Sequence, residues 1–154
     1  MIRIIAAAVV AGHGLIHLIG FVVPWGLAEV EGFPYRTTAL GGAVALNDAG
    51  ARAVGIAWLV CAVGFAVAGL GIRRRAPWAL PAAAVLAVAS IVLCVLGLPE
   101  AVAGIVVNAV ILGVVAWAWT ARPALIARRV EGPGAKRAAG PAGTAGVAGS
   151  GPAR

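Results

Sequence analysis

Residues Ala6–Trp25 read AAAVVAGHGLIHLIGFVVPW. The stretch holds no Asp, Glu, Lys or Arg, and about 20 such residues suffice to cross the hydrocarbon core of a bilayer. Yet it carries His13 and His17, the only two histidines in the chain. If this run is a membrane helix, the protein is built in lipid and the imidazoles need an explanation. If it is a cleaved leader, both questions disappear.

The rest of the chain favours the helix. Of 154 residues, 62% are hydrophobic and 11% charged, and the mean hydropathy is +1.03. A soluble domain of this size has too much surface for its volume to hide so much apolar area. Four uncharged runs stand out, near Ile4–Val23, Ala53–Ile72, Trp78–Leu98 and Ala101–Trp119. None shows the apolar/polar alternation of a membrane barrel strand. A backbone in lipid must satisfy its own hydrogen bonds, so each run is expected to be a helix. Cleavage after Ala28 would leave three spans, but the first apolar run exceeds the roughly 7–15 residues of a leader core. The expected fold class is all-α, a four-transmembrane-helix bundle.

Charge placement orients that bundle. Arg3 precedes the first run, Arg73, Arg74 and Arg75 join the second to the third, and Arg122, Arg128, Arg129, Lys136, Arg137 and Arg154 follow the fourth. The alternate junctions hold Glu29, Glu31, Asp48 and Glu100, with only Arg36 and Arg52 as cations. Positive charge collects on the cytoplasmic side. Both termini are therefore expected inside a bacterial inner membrane, with the loop Pro24–Gly50 outside. The basic clusters serve topology and contact with anionic lipid; no nucleic-acid-binding fold accompanies them. The expected partners are the bilayer and, where the protein assembles, a second copy or another membrane subunit.

Residues 1–120 form the expected membrane domain. Residues 121–154 form a basic tail, which from Gly132 is rich in Gly, Ala and Pro and reads as disordered. In the outward loop, Trp25, Phe33 and Tyr35 suit the membrane–water boundary, and ALGGAVAL is expected to dip back towards it. Asn47 or Asp48 is placed to cap the second helix. Pro99 fits a helix start, and Glu100 suits the positive end of its dipole.

On a helix of 100° per residue, His13 and His17 share a face with Ala6, Val9, Val10, Gly20 and Pro24. Ile4, Ala8, Ala11, Leu15, Leu18 and Val22 oppose it, so the histidines are expected to point into the bundle. With a rise of about 1.5 Å per residue, His13 and Cys61 fall near mid-membrane, and His17 lies about 5 Å outward at nearly the depth of Asn108 and Ser90. Cys94 lies further out. The candidate ligand-binding residues are thus His13, His17, Asn108, Ser90 and Cys61.

An ionisable group inside a span marks a functional site by default. Four readings stay open: imidazoles locking helix packing, a pocket for a small ligand or cofactor, a metal clamped by His13 and His17, and a proton relay. Neutral imidazoles four apart are good metal ligands, but no evident carboxylate or further His completes the set. Two histidines on one face cannot ligate a single haem from opposite sides within one chain. Cys61 and Cys94 form no Cys-x-x-Cys pair for thiol–disulfide exchange, and the spans lack the carboxylate expected of a proton-coupled exporter.

The segments GHGLIHLIGFVVPW, GFPYRTTALGG and DAGARAVGIAWL resemble those of a group of small four-helix integral membrane proteins from actinobacteria. Eleven arginines against one lysine suit a high-GC genome. The resemblance covers roughly Arg3–Trp119. In size and topology such proteins are similar to the DoxX-like group, some of which are linked to quinone-related redox chemistry. This implies a runner-up function, a membrane redox enzyme on a quinone-like substrate with His17 passing a proton. The leading expectation is a small-ligand-binding or accessory subunit, and a purely structural membrane protein is the plain alternative.

Overall fold

A computed structural model describes the backbone of residues 1–130 and the side chains of residues 1–121. The elements run α1 (Ile2–Ile16), α2 (Ile19–Val22), β1 (Thr38–Ala39), β2 (Val44–Ala45), α3 (Asn47–Arg74), α4 (Ala79–Leu96) and α5 (Val102–Val130). Four segments are long and apolar enough to cross a membrane: Ile2–Val22, Asn47–Arg74, Ala79–Leu96 and Val102–Ala121. They mark a multi-pass membrane protein. Large apolar side chains cover their outer faces, among them Ile4, Leu15, Val60, Val85 and Val106. That is a costly surface in water and an ordinary one in lipid. The tail expected from Gly132 lies outside the described residues, while α5 continues past Trp119 to Val130.

The first span is not one unbroken helix. At its break the His17 N–H bonds Gly14 O at 3.1 Å and the Leu18 N–H bonds Leu15 O at 3.1 Å. The backbone tightens there to 3-10 spacing. An unbroken α-helix would give the His13 carbonyl to the His17 N–H, so the tighter turn frees that acceptor.

Small residues set the main helix seam. α1 runs antiparallel to α3, and a Cβ on Gly69 would lie 2.7 Å from Ala7 O, while one on Gly14 would lie 2.8 Å from Ala62 O and from the Phe65 Cβ. Packing of this kind replaces the hydrophobic drive inside lipid. The buried line on α1 is Ala7, Val10, His13, Gly14 and His17. It is turned slightly from the expected face: Val9 is exposed and Gly14 is inside. The seam selects for the smallest residues, whereas Val9 sits as comfortably against lipid as against protein. The core gathers around Phe65, with Val10, Cys61, Ala87, Leu93, Ile111 and Val115.

The junctions differ in detail from the sequence expectation. α3 begins at Asn47, six residues before Ala53, and the Asn47 side chain accepts the Gly50 N–H at 2.9 Å. Asn47 is the cap; Asp48 instead accepts the Tyr35 hydroxyl at 2.6 Å. ALGGAVAL forms part of a short antiparallel hairpin, Thr38 opposite Ala45 and Ala39 opposite Val44. Its turn uses Gly41 (φ 65°) and Gly42 (φ 101°), a conformation cheap only for glycine. α5 starts at Val102, so Pro99 and Glu100 sit in the preceding turn. There Glu100 pairs with Arg36 at 2.6 Å, and the Gly41 N–H bonds Leu98 O at 3.1 Å. The hairpin is thereby tied to the α4–α5 turn. At the opposite end α3 stops at Arg75 in the left-handed region, with the Ala76 N–H returning to Gly71 O.

Candidate functional site

Four of the five residues singled out from the sequence meet in one buried cluster. His13, His17, Ser90 and Asn108 are 5%, 3%, 0% and 0% exposed. They come from α1 and its break, from α4 and from α5. His17 Nδ1 lies 3.0 Å from the His13 carbonyl, and its Nε2 lies 2.6 Å from Ser90 Oγ. Asn108 Nδ2 lies 2.7 Å from Ser90 Oγ and 2.8 Å from Gly104 O, while its Oδ1 lies 3.1 Å from His13 Nε2.

Two backbone carbonyls anchor the direction of the hydrogen bonds. A carbonyl only accepts, so His17 Nδ1 must carry the hydrogen facing the His13 carbonyl. In a neutral imidazole Nε2 is then a lone pair, and Ser90 donates to it. Ser90 Oγ in turn accepts from Asn108. The Gly104 carbonyl likewise requires the amino side of Asn108, which turns Oδ1 towards His13 and makes His13 Nε2 a donor. The bonds therefore run head to tail: His13 to Asn108, to Ser90, to His17, and back to the His13 carbonyl. For neutral imidazoles these bonds assign opposite tautomers to the two histidines. Bonds in such a closed circuit polarise one another, and neutrality avoids the cost of a charge in lipid.

One atom is left over. His13 Nδ1 has no hydrogen-bond partner, and among the described residues it is the only buried side-chain nitrogen or oxygen in that position. By the same reasoning it is a lone pair. An unmet buried acceptor costs about 1–3 kcal/mol.

The sequence reading missed the aromatic wall. Phe65 packs against both imidazoles, with ring centroids 5.1 Å from His13 and 5.3 Å from His17, and Trp58 meets His17 at 5.1 Å. The imidazoles themselves meet edge to face at 4.6 Å. Trp58 and Phe65 stand seven apart on α3, so their shared face was visible in the spacing; nothing in the sequence says which helix it meets. Gly20 makes room for Trp58, since a Cβ there would fall 2.5 Å from the indole. Cys94 Sγ lies 4.0 Å from Ser90 Oγ, at the edge of the cluster. Cys61 is buried in the core beside Phe65 and makes none of these bonds.

Above the cluster lies a cavity of about 230 Å³. Its deep end is His13, His17, Trp58 and Cys94; its walls include Ile16, Gly20, Val54 and Gly104; its other end is Phe33, Arg36 and Thr38 from the loop with Leu98 and Glu100 from the α4–α5 turn. A mostly apolar wall with a few placed polar groups is the usual make-up of a small-molecule site. The volume is below the roughly 300–1,000 Å³ of drug-sized pockets and above the ~150 Å³ that accepts benzene. A body of one or two rings, or a comparable aliphatic one, fits.

The metal reading gains no ligand set. Among the described residues no three of His, Cys, Asp and Glu come together as a metal site, and both Nε2 atoms already face Asn108 and Ser90. As for a proton role, both nitrogens of His17 are occupied within the circuit. No known family, curated protein or solved structure matches the chain.

Proposed function

We propose that the protein is a multi-pass protein of a bacterial inner membrane, with both termini cytoplasmic, that binds a small lipid-soluble molecule in the cavity above His13 and His17. It acts as a binding or accessory subunit rather than through bond-making chemistry. One observation carries this reading: an apolar cavity reaches from the loop end of the bundle down to the buried imidazoles. The orientation rests on the arginines at the other end, Arg3 and Arg73–Arg75. A reporter joined after residue 154 should report from the cytoplasm; a periplasmic signal would reverse the assignment.

The purely structural reading has its own support, because the hydrogen-bond circuit closes without any ligand. The two readings part on what the purified protein holds. Extraction of protein isolated in mild detergent should release one small organic molecule in near-stoichiometric amount, lost when Ala51, buried in the cavity wall, is changed to Phe. A protein that folds, releases nothing and shows no saturable uptake of small aromatic probes would leave only the structural role.

A further inference from the structure

We infer that the occupant enters the cavity from the lipid, through the side of the bundle between α1 and α5, with Ile16 at the lip of this opening. The inference rests on the cavity being a binding site. It names the occupant's class and source: an amphiphile dissolved in the leaflet on the loop side. Three sides of the bundle are closed at this level. A Cβ on Gly55 would lie 3.4 Å from Gly20 O, one on Gly97 would lie 3.7 Å from Trp58, and one on Gly104 would lie 2.6 Å from Cys94 Sγ. These approaches join the first span to α3, α3 to the end of α4, and α4 to α5. On the fourth side, the His13–Asn108 hydrogen bond of 3.1 Å links α1 to α5. Nearer the loop, no hydrogen bond or ion pair among the described residues runs from residues 16–23 to residues 101–107.

Ile16 shows that the cavity reaches this side. On α1, Gly14 presses on α3 and His13 bonds α5, a rotation of about 100° between neighbours. Ile16 lies about 60° further round in the same sense, past the seam and towards lipid. It is 60% exposed and still lines the cavity. Ala103 on α5 is likewise both exposed and part of the wall. The loop end is fastened instead. Phe33, Arg36 and Thr38 roof the cavity there. The Arg36–Glu100 pair and the Gly41 N–H on Leu98 O tie this loop to the α4–α5 turn, and the Tyr35–Asp48 bond ties it to α3. An amphiphile sliding in sideways keeps its apolar body at lipid depth, beside Ile16, Val54 and Trp58, and its polar end at the level of Arg36 and Glu100. Its apolar surface never crosses water, the costly step of entry through the roof.

The test uses the full chain in lipid nanodiscs and 8-bromooctanol, an amphiphile whose bromine quenches tryptophan. Uptake and release are timed by the saturable quenching of Trp58, which lines the cavity, taken as the difference from matched proteins carrying Trp58→Phe. Ile16 is exposed, so its variants keep the fold. Ile16→Phe is expected to slow uptake and release together by about tenfold, the equivalent of ~1.4 kcal/mol at the lip, and Ile16→Ala to speed both. Glu100→Gln, which unfastens the roof, should leave both rates within about twofold. Rates unmoved by either Ile16 substitution, or raised several-fold by Glu100→Gln, would overturn entry from the lipid while keeping the cavity as a site. Absence of saturable Trp58 quenching in the parent protein would overturn the cavity reading, and this inference with it.

Discussion

His17 stands one turn beyond His13, and the break between them gives that spacing its purpose. Once the His17 N–H turns to Gly14, the His13 carbonyl needs a donor, and His17 Nδ1 supplies one at 3.0 Å. The first imidazole reaches across to α5 and the second closes the circuit through α4, so neither could serve alone. That both histidines face inward was legible from helical periodicity, and their meeting with Ser90 and Asn108 from depth. The tautomers were not, because they depend on carbonyls that only the fold presents. Asp48 gives a second lesson at this scale. Capping chemistry pointed equally to Asn47 and Asp48, and the choice was decided by Tyr35, distant in sequence. The hydrogen bond to Asp48 holds the Tyr35 phenol above its ordinary value, with the negative charge of Asp48 adding to the effect. Tyr35 is the only tyrosine, so phenolate absorbance reports it alone. Its titration midpoint should lie above about 10 and fall back towards that value in Asp48→Asn. Because the folded value is raised, whatever stability the bond gives is complete below pH ~10 and lost as the pH climbs through the raised midpoint.

Among the helices, the four spans were readable from hydropathy because lipid allows few other structures. Their ends were less so. α3 starts six residues before Ala53 because Asn47 supplies a cap, and α1 breaks after Ile16 although no proline marks the place. The inward face of α1 was read slightly askew because glycine scores as neutral in a hydrophobic pattern, while in a membrane seam it is the contact itself. Gly12 and Gly14 make this testable. A Cβ at Gly14 would press on Ala62 O and Phe65 at 2.8 Å, whereas at Gly12 it would meet nothing within 4 Å. Gly14→Ala should lower the melting temperature in detergent clearly, in line with the roughly 1–3 kcal/mol of overpacking. Gly12→Ala should leave it unchanged or raise it slightly, since alanine favours the helix by up to ~1 kcal/mol. Equal effects at the two positions would contradict the seam.

For the molecule as a whole, the bundle has two unlike ends. One carries arginines and a tight turn; the other carries the hairpin, the Arg36–Glu100 pair and the cavity. Charge spacing made the difference between the ends readable from the sequence. The cavity was not, because it arises where the hairpin, the α1 break and the α4–α5 turn converge. The hydrogen-bond circuit joins α1, α4 and α5 across their buried faces, and Phe65 and Trp58 press α3 against it. Its protonation pattern therefore reports on the assembled bundle and on the site at once. The most direct measurement is 15N NMR of selectively labelled histidine in the full protein in lipid, near neutral pH. Two neutral imidazoles of opposite tautomer are expected, His13 protonated on Nε2 and His17 on Nδ1, each assigned by loss of its signals in a single-histidine variant. Two identical tautomers, or an imidazolium at either position, would contradict the circuit and the unfilled acceptor that follows from it.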